Sequence, residues 1–235
     1  ARVPPGRSAA PDAAMNAPRQ LTLDLVRPLT PSLDNFVVGR NAEAVAVLRA
    51  IAAGRGEPFV YLWGERGSGR THLLEALAAA RPAALAGEGS AVPGFGAADR
   101  LYLVDDVDAR DAESQQRLFV LMNEVRAHPG VALVTTGSAP PAQLALRDDV
   151  RTRLAWGLVY QLHALTDEEK AQALDEHARS RGLALSHDVI AYLLNHMPRD
   201  MRTLVAILDA LDGYALAAKR AITVPLVREW AQGDA

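Results

Sequence analysis

The chain has 235 residues, no cysteine and a formal net charge of -3. That length allows one large or two small domains, and a hydrophobic fraction of 49% is that of an ordinary globular protein. The lack of cysteine excludes disulfides, thiol catalysis and cysteine-ligated metals. The near-neutral charge argues against binding to nucleic acid through charge alone. No apolar run approaches the roughly 18 residues that span a bilayer, so we expect a cytoplasmic protein without a membrane partner.

Residues 1–19 are rich in Ala, Pro, Arg and Ser and have no apolar periodicity. This composition predicts a disordered N-terminal extension, and it lacks the hydrophobic segment of a secretory signal. Met15 is an alternative start for the chain, in which case the residues before it would have no function.

The tail of residues 20–30 opens with Gln20 and places leucine at alternate positions, Leu21, Leu23 and Leu25. This pattern is typical of an extended strand with one apolar edge, and an isolated strand cannot bury its leucines against itself. One interpretation is an edge strand that packs on its own domain. The other is a short linear motif that docks into the apolar groove of a partner.

A phosphate-binding loop is predicted at residues 64–71, which read GERGSGRT. They match the motif G-x-x-x-x-G-K-[ST] except that Arg70 replaces the lysine. An apolar, strand-like run at residues 59–63 precedes the loop and a helix-forming run at residues 72–80 follows it, which is the context that aims backbone N–H groups and a helix N-terminus at an anion. The expected nucleotide contacts of the loop are Gly64, Arg66, Gly67, Ser68, Gly69, Arg70, Thr71 and His72.

The substituted loop predicts altered chemistry at the phosphates. Thr71 would place its hydroxyl on Mg²⁺, as the motif requires. Arg70 can still pair with phosphate, but a planar fork is not a compact ammonium, so its geometry at the γ-phosphate must differ. We therefore expect a chain that holds ADP or ATP and has weak or no intrinsic ATPase activity.

A second acidic site is predicted where the apolar run at residues 101–104 ends in Asp105 and Asp106. Asp105 would ligate Mg²⁺ or orient its water shell. Asp106 stands where a general base would activate water. A further buried strand at residues 131–135 runs toward Ser138, for which the family resemblance given below implies a γ-phosphate sensor and a plain strand-end turn is the alternative. Between these strands, residues 112–127 predict a core helix.

From Thr166 onward the pattern is all helical. Thr166 and Glu169 form a capping-box pattern that predicts a helix to about Arg181. Three more helices are expected, with Ser186 capping one that runs through Asn195, Pro198 opening the next, and Thr223 with Pro225 opening a short last one.

This order of elements predicts an α/β fold with a doubly wound parallel sheet, followed by a small helical domain. We expect the α/β domain at residues 31–163, with a helix from about Asn41, and the helical lid at residues 164–235.

Residues 20 to about 230 resemble the DnaA-type AAA+ family. The carrying segments are DNFVVG at residues 34–39 upstream of the phosphate loop, RTRLAWG at residues 151–157, and PRDMRTL at residues 198–204. The resemblance implies that Val38 and Gly39 lie beside the adenine and that a lid arginine, Arg199 or failing that Arg202, touches phosphate. It also implies that Arg153 is an arginine finger that reaches a neighbour's nucleotide in trans, a role whose alternative is a surface ion pair.

The resemblance also implies partners. Residues 20–25 are similar to the peptide by which bacterial replication proteins bind the DNA polymerase sliding clamp, its beta subunit. The chain ends without the helix-turn-helix that reads DNA in an initiator, so we expect no direct sequence-specific DNA binding. The implied function is that of a regulator which binds the clamp and stimulates ATP hydrolysis by DnaA, with ADP favoured as its own steady ligand and self-association allowed. A replicative helicase loader and, less favoured, a small-molecule P-loop kinase are the alternatives.

Overall fold

A computed structural model of the chain describes residues 29–96 and 98–233. The predicted extension of residues 1–19 and the Gln20, Leu21, Leu23 and Leu25 motif lie outside the described residues. Within the described ranges, no helix has both the length and the apolar character that crossing a membrane requires.

The centre of the N-terminal domain is a parallel sheet of five strands in the order β2-β3-β4-β1-β5. Their register pairs Val60 with Val134 and with Leu158, and Leu103 with Val134. The strands β1 and β3 are short apolar runs because helices cover both faces of the sheet, and all four residues of β3 are buried. The strands are β1 Phe59–Trp63, β2 Ala84–Ala86, β3 Leu101–Val104, β4 Ala132–Gly137 and β5 Leu158–Gln161.

The two faces of the sheet bury separate apolar clusters. On one face, Leu62 and Leu103 pack with Leu48 and Leu77, which come from α1 (Ala42–Ala52) and α2 (Arg70–Ala80). On the other face, Tyr61, Tyr102 and Val104 pack with residues of α3 (Ala112–Ala127) and α4 (Asp148–Leu154), such as Leu121 and Val150. Helices on both faces of a parallel sheet confirm the predicted doubly wound α/β fold.

The C-terminal domain is a helical lid with its own core. Its four helices are α5 Asp167–Ser180, α6 His187–His196, α7 Met201–Ala218 and α8 Val224–Gln232. Leu174, Leu193, Leu208 and Trp230, one from each helix, are buried in a single cluster. The predicted all-helical lid is therefore confirmed.

The helix starts of the lid follow local capping chemistry. The Thr166 side chain accepts from Glu169 N while the Glu169 carboxylate accepts from Thr166 N, so the predicted capping box is present. Pro198 was expected to open the third helix, and this expectation is wrong. Asp200 is the cap of α7, since its carboxylate accepts a hydrogen bond from Thr203 N, and an aspartate at this position satisfies an end N–H group that proline leaves bare.

Candidate nucleotide site

The phosphate loop joins the end of β1 to the start of α2. Gly67 and Gly69 have φ values of 85° and 93°, in the left-handed region that glycine adopts without strain. A Cβ atom on Gly69 would lie 2.6 Å from Phe36 Cε2, so the loop also needs glycine there to fit under the aromatic ring. The N–H groups of this loop and the first turn of α2 form an anion-binding end of the kind that holds phosphate.

A cleft of about 730 Å³ lies between this loop and the lid. Its wall includes most of the residues predicted for nucleotide contact, and it also includes polar groups from the lid side that the sequence did not indicate, such as Lys170 and Asp200. The predicted residues found in the wall are Arg66, Gly67, Ser68, Gly69, Arg70, Thr71, His72, Asp106 and Arg199.

The Ser68 hydroxyl of the loop is buried without a hydrogen-bond partner among the described residues. Ser68 is 4% exposed, and its Oγ atom has no hydrogen-bond partner among the described residues. The same Oγ would lie 2.7 Å from a Cβ on Gly64, so Gly64, although not in the cleft wall, makes room for it. A buried hydroxyl without a partner is uncommon in a folded chain, and a phosphate oxygen in the loop would supply one.

The predicted magnesium residues lie together. Thr71 Oγ1 donates to Asp105 Oδ2 at 2.7 Å. Asp105 is 3% exposed, and its other oxygen accepts from the Thr136 hydroxyl and from Asp106 N at 3.2 Å. A hydroxyl and a carboxylate are hard oxygen donors that suit Mg²⁺ when phosphates and waters complete the octahedron. Within the described ranges, no group of three or more His, Asp or Glu side chains is placed to hold a metal.

Arg70 and Asp106 form an ion pair in the wall of the cleft. Arg70 Nη1 lies 2.8 Å from Asp106 Oδ1, and the two side chains are 13% and 38% exposed. The same Nη1 makes no well-directed hydrogen bond among the described residues, so the contact is chiefly Coulombic. It draws the guanidinium toward the acidic strand end and places the charge of Arg70 opposite the carboxylate expected to activate water.

The environment of Asp106 is unfavourable to its charge. Burial raises the pKa of Asp106, and Asp105, Asp108 and Glu88 raise it further, while Arg70 acts in the opposite direction. The backbone of Asp106 is left-handed, with φ 44°, a conformation that aspartate tolerates better than most residues. Arg70 is therefore the counter-ion of a carboxylate that its other neighbours disfavour.

The side of the cleft expected to hold the adenine ring contains an aromatic contact. The rings of Phe36 and His72 are 5.4 Å apart, and His72 Nε2 lies 3.1 Å from the carbonyl oxygen of Ser32. Burial lowers the pKa of His72, which favours the neutral ring. Phe36 was within the DNFVVG segment but was not singled out as a contact, because the position of its ring depends on how residues 34–39 pack over Gly69.

The two residues predicted beside the adenine do not line the cleft. Val38 packs against the core cluster of α1 and α2. Gly39 has φ 47°, and a Cβ there would lie 2.7 Å from Leu165 Cδ2. Asn41 lines the cleft in their place, and its amide joins this segment to the end of the α/β domain by bonds to His163 N and His163 O.

The lid contributes two arginines to the cleft wall. Arg199 is exposed and pairs with Asp167, 3.3 Å away in α5. Arg202 is 34% exposed and pairs with Glu75, 3.3 Å away in α2. Arg202 is thus the one whose ion pair joins the lid to the helix that follows the phosphate loop.

The two remaining candidates lie elsewhere. The Ser138 hydroxyl donates to Asp108, and Ser138 is not in the cleft wall. Arg153, near the end of α4, is also not among the residues that line the cleft. Its side chain contacts α3 and Trp156.

The parallel sheet, the phosphate loop after β1 and the helical lid together form the fold of an AAA+ module. Domain III of DnaA from Thermotoga maritima superimposes with a TM-score of 0.63 at 20% identity, over 88% of this chain and 98% of that one. AMPPCP-bound DnaA from Aquifex aeolicus gives 0.62 at 21% identity, over 80% and 67%. The Holliday junction branch migration motor RuvB from Thermotoga maritima gives 0.60 at 14% identity, over 86% and 72%. At these identities the similarity identifies the fold.

The sequence of the lid shows a more specific similarity than the fold does. Residues 167–230 match the family described as Hda, lid domain. This range runs from the first residue of α5 to Trp230 in α8 and so covers nearly all of the helical domain. The resemblance to the DnaA-type AAA+ family, and within it to Hda, is thereby confirmed.

Proposed function

We propose that this chain is an Hda-like regulator of replication initiation. In this proposal it binds the sliding clamp through residues 20–25, holds an adenine nucleotide with Mg²⁺ in the cleft, and stimulates ATP hydrolysis by DnaA in trans through Arg153. Such an activity would return the initiator to its ADP-bound form.

The Arg70–Asp106 ion pair is the observation that carries the proposal. Efficient hydrolysis needs a cation placed on the γ-phosphate and a carboxylate free to orient water. Here the two groups that stand in those positions lie 2.8 Å from each other. The loop, the Thr71–Asp105 contact and the unpartnered Ser68 hydroxyl still favour binding of phosphates. A cleft that is better suited to binding a nucleotide than to hydrolysing it supports the proposal that this protein acts on the nucleotide of another protein.

When bound, the nucleotide would supply the adenine, phosphates and metal charge that order the cleft. The backbone of the phosphate loop would hold the phosphates, Thr71 and Asp105 would hold the metal, and the lid arginines would contact the phosphates from the opposite wall. The stimulation of ATP hydrolysis by DnaA would then depend on residues outside the cleft, above all Arg153.

The test is ATP hydrolysis by DnaA in the presence of clamp-loaded DNA and the full chain. Supplied arginine fingers are worth roughly 10³–10⁵ in rate, so even a tenth of that stimulation is measurable. Arg153→Ala should abolish the stimulation while nucleotide and clamp binding persist, and Arg153→Lys should restore little because a point charge does not reproduce the fork.

Arg151→Ala is the matched control. Arg151 lies two residues earlier on α4 and is paired with Asp148 at 2.6 Å, so its loss changes the local charge without removing the proposed finger. Equal defects at both positions would indicate general electrostatic docking. Loss of nucleotide binding in Arg153→Ala would assign this residue to its own cleft and contradict action in trans.

A helicase loader is the second candidate, favoured only by the shared AAA+ architecture. It requires fast ATP turnover by the isolated chain, which a steady-state hydrolysis assay would detect. A small-molecule kinase would instead show transfer of phosphate to an acceptor.

A further inference from the structure

Arg153 is held by groups that carry no charge. Its Nε donates to Asn123 Oδ1 at 3.2 Å, and its Nη1 donates to the carbonyl oxygen of Asp149 at 2.8 Å. Its guanidinium carbon lies 4.1 Å from the ring centroid of Phe119 and 4.9 Å from that of Trp156. Within the described residues it forms no ion pair and its Nη2 makes no hydrogen bond.

The neighbouring arginines, Arg151 on α4 and Arg147 directly before it, are bound differently. Arg151 pairs with the Asp148 carboxylate. Arg147 forms a two-pronged contact with the Asp149 carboxylate, from Nε at 3.1 Å and from Nη2 at 2.7 Å. Hydrogen bonding from Arg147 is the largest influence that lowers the pKa of Asp149, and the charge of Arg153 is a smaller one. Arg147 thus binds the carboxylate of Asp149, the residue whose backbone carbonyl oxygen accepts a hydrogen bond from Arg153.

We propose that Arg147 and Phe119 are positioning residues for Arg153, an inference that rests on the proposed function. Arg147 keeps the Asp149 carboxylate away from the guanidinium, so its positive charge stays uncompensated. Phe119 fixes the plane of the guanidinium by a cation–π contact. Nη2 and the second proton of Nη1 remain available to an anionic partner, and the phosphates of a neighbouring subunit's nucleotide are such a partner.

Preorganisation is the physical gain. A free arginine side chain loses rotamer freedom when it is captured, and a guanidinium already fixed in one plane loses less on meeting phosphate. An ion pair with Asp149 would also fix the side chain, but it would have to break before the charge could act on a neighbour. Neutral hydrogen-bond acceptors and aromatic rings provide order without that cost.

The test compares single and double variants in the DnaA hydrolysis assay with clamp-loaded DNA. In Arg147→Ala, the freed Asp149 carboxylate should capture Arg153 and lower the maximal stimulated rate by roughly fivefold, the upper range for an exposed ion pair. The concentration of chain that gives half-maximal stimulation should not change. In Arg147→Ala/Asp149→Asn the maximal rate should return, because the competing charge is gone.

Phe119 provides an independent arm. Phe119→Leu should lower the maximal rate roughly threefold, while Phe119→Tyr, which keeps the aromatic face, should not. In the isolated chain, the Arg153 Nε–H resonance, assigned by its loss in Arg153→Lys, should be shifted by the rings in the parent and lose part of that shift in Phe119→Leu. This readout needs no DnaA, and the melting temperature of each variant reports whether it folds.

The outcomes separate the two proposals. If the unaltered chain does not stimulate DnaA, the proposed function fails and the positioning inference fails with it. If the parent stimulates and Arg147→Ala or Phe119→Leu is as active as the parent, only the inference is overturned. A double variant as defective as Arg147→Ala would likewise overturn it, since a purely structural defect is not repaired by removing Asp149's charge.

Discussion

Arg70 and Asp106 form an ion pair at 2.8 Å in the wall of the nucleotide cleft, so the residue that replaces the loop lysine is paired with the residue that would activate water. The two departures from a hydrolytic site are therefore physically coupled. A lysine at position 70 would carry a compact ammonium and would lack the planar fork with which Arg70 contacts Asp106. An arginine that can reach Asp106 instead stabilises a carboxylate whose pKa burial raises.

This coupling predicts a pH-dependent stability effect of Arg70→Gln. A raised folded-state pKa means that protonated Asp106 contributes stability that is fully present below the unfolded pKa of about 3.9 and is lost as pH rises through the folded pKa. Without Arg70 the pKa of Asp106 rises further, so more stability is lost at neutral pH. We expect Arg70→Gln to be about 1 kcal/mol less stable than the parent at pH 7 and nearly equal to it at pH 4.

Urea denaturation at both pH values, without nucleotide, measures the difference. The double variant Arg70→Gln/Asp106→Asn has no carboxylate at position 106 to titrate. Relative to the parent, its free energy of unfolding should therefore not show the extra decrease at pH 7 that is expected for Arg70→Gln. A deficit of the same size at pH 4 and pH 7 in Arg70→Gln would show that packing of Arg70, and not its charge, is responsible.

The lid arginines give a second prediction. Arg202 pairs with Glu75 of α2, and Arg199 pairs with Asp167 within the lid. Because α2 begins at the phosphate loop, we expect Arg202→Ala to weaken ADP binding more than Arg199→Ala, roughly tenfold or more, as for a charge-assisted hydrogen bond. Calorimetric titration of both variants measures this. A larger loss in Arg199→Ala would instead support the original assignment of Arg199 to phosphate.

The tail gives a third prediction. Gln20→Ala/Leu23→Ala should abolish binding to purified sliding clamp in a pull-down and leave the melting temperature unchanged, since a docking motif contributes nothing to the core of its own chain. Thr22→Ala is the matched control, as it lies between the alternating leucines. A large drop in melting temperature would favour the edge-strand interpretation, and retained clamp binding would remove the clamp from the proposed function.

Much of the fold could be predicted because its signals are local. The apolar runs at residues 59–63 and 101–104 became β1 and β3 with those bounds, and the capping box at Thr166 formed. Thr71 and Asp105, each expected at Mg²⁺, lie in contact, since parallel strands carry their C-terminal loops to one edge of the sheet. The predicted helix start at Pro198 was wrong because proline and aspartate both favour helix starts. Here Asp200 caps the helix, since its side chain accepts a hydrogen bond from Thr203 N.

The contacts that decide the chemistry could not be predicted. The Arg70–Asp106 pair depends on the left-handed backbone at Asp106 and on two side-chain rotamers. The surroundings of Arg153 depend on how α4 packs against Phe119 and Asn123 of α3, about thirty residues earlier. Neither relationship has a spacing in the sequence that indicates it, because both depend on side-chain geometry between distant elements.

The last prediction tests whether the paired residues suppress hydrolysis. Arg70→Lys/Asp106→Glu should raise the intrinsic ATP turnover of the isolated chain roughly tenfold or more, because the ammonium is released to the phosphates and the longer carboxylate reaches a water. The gain is limited by the left-handed backbone at position 106, a conformation that glutamate tolerates less well than aspartate. A phosphate-release assay at saturating ATP and Mg²⁺ measures the rate.

Two further variants make the result specific. Adding Thr71→Ala to the double variant removes the hydroxyl that contacts Asp105 and should abolish the gain if the reaction depends on the metal. Arg70→Lys/Asp106→Asn keeps the ammonium but has no carboxylate at position 106, so it should stay as slow as the parent. A double variant that binds ATP yet hydrolyses it no faster than the parent would show that slow turnover has another cause, such as the lack of a γ-phosphate sensor where the Ser138 hydroxyl is bound to Asp108.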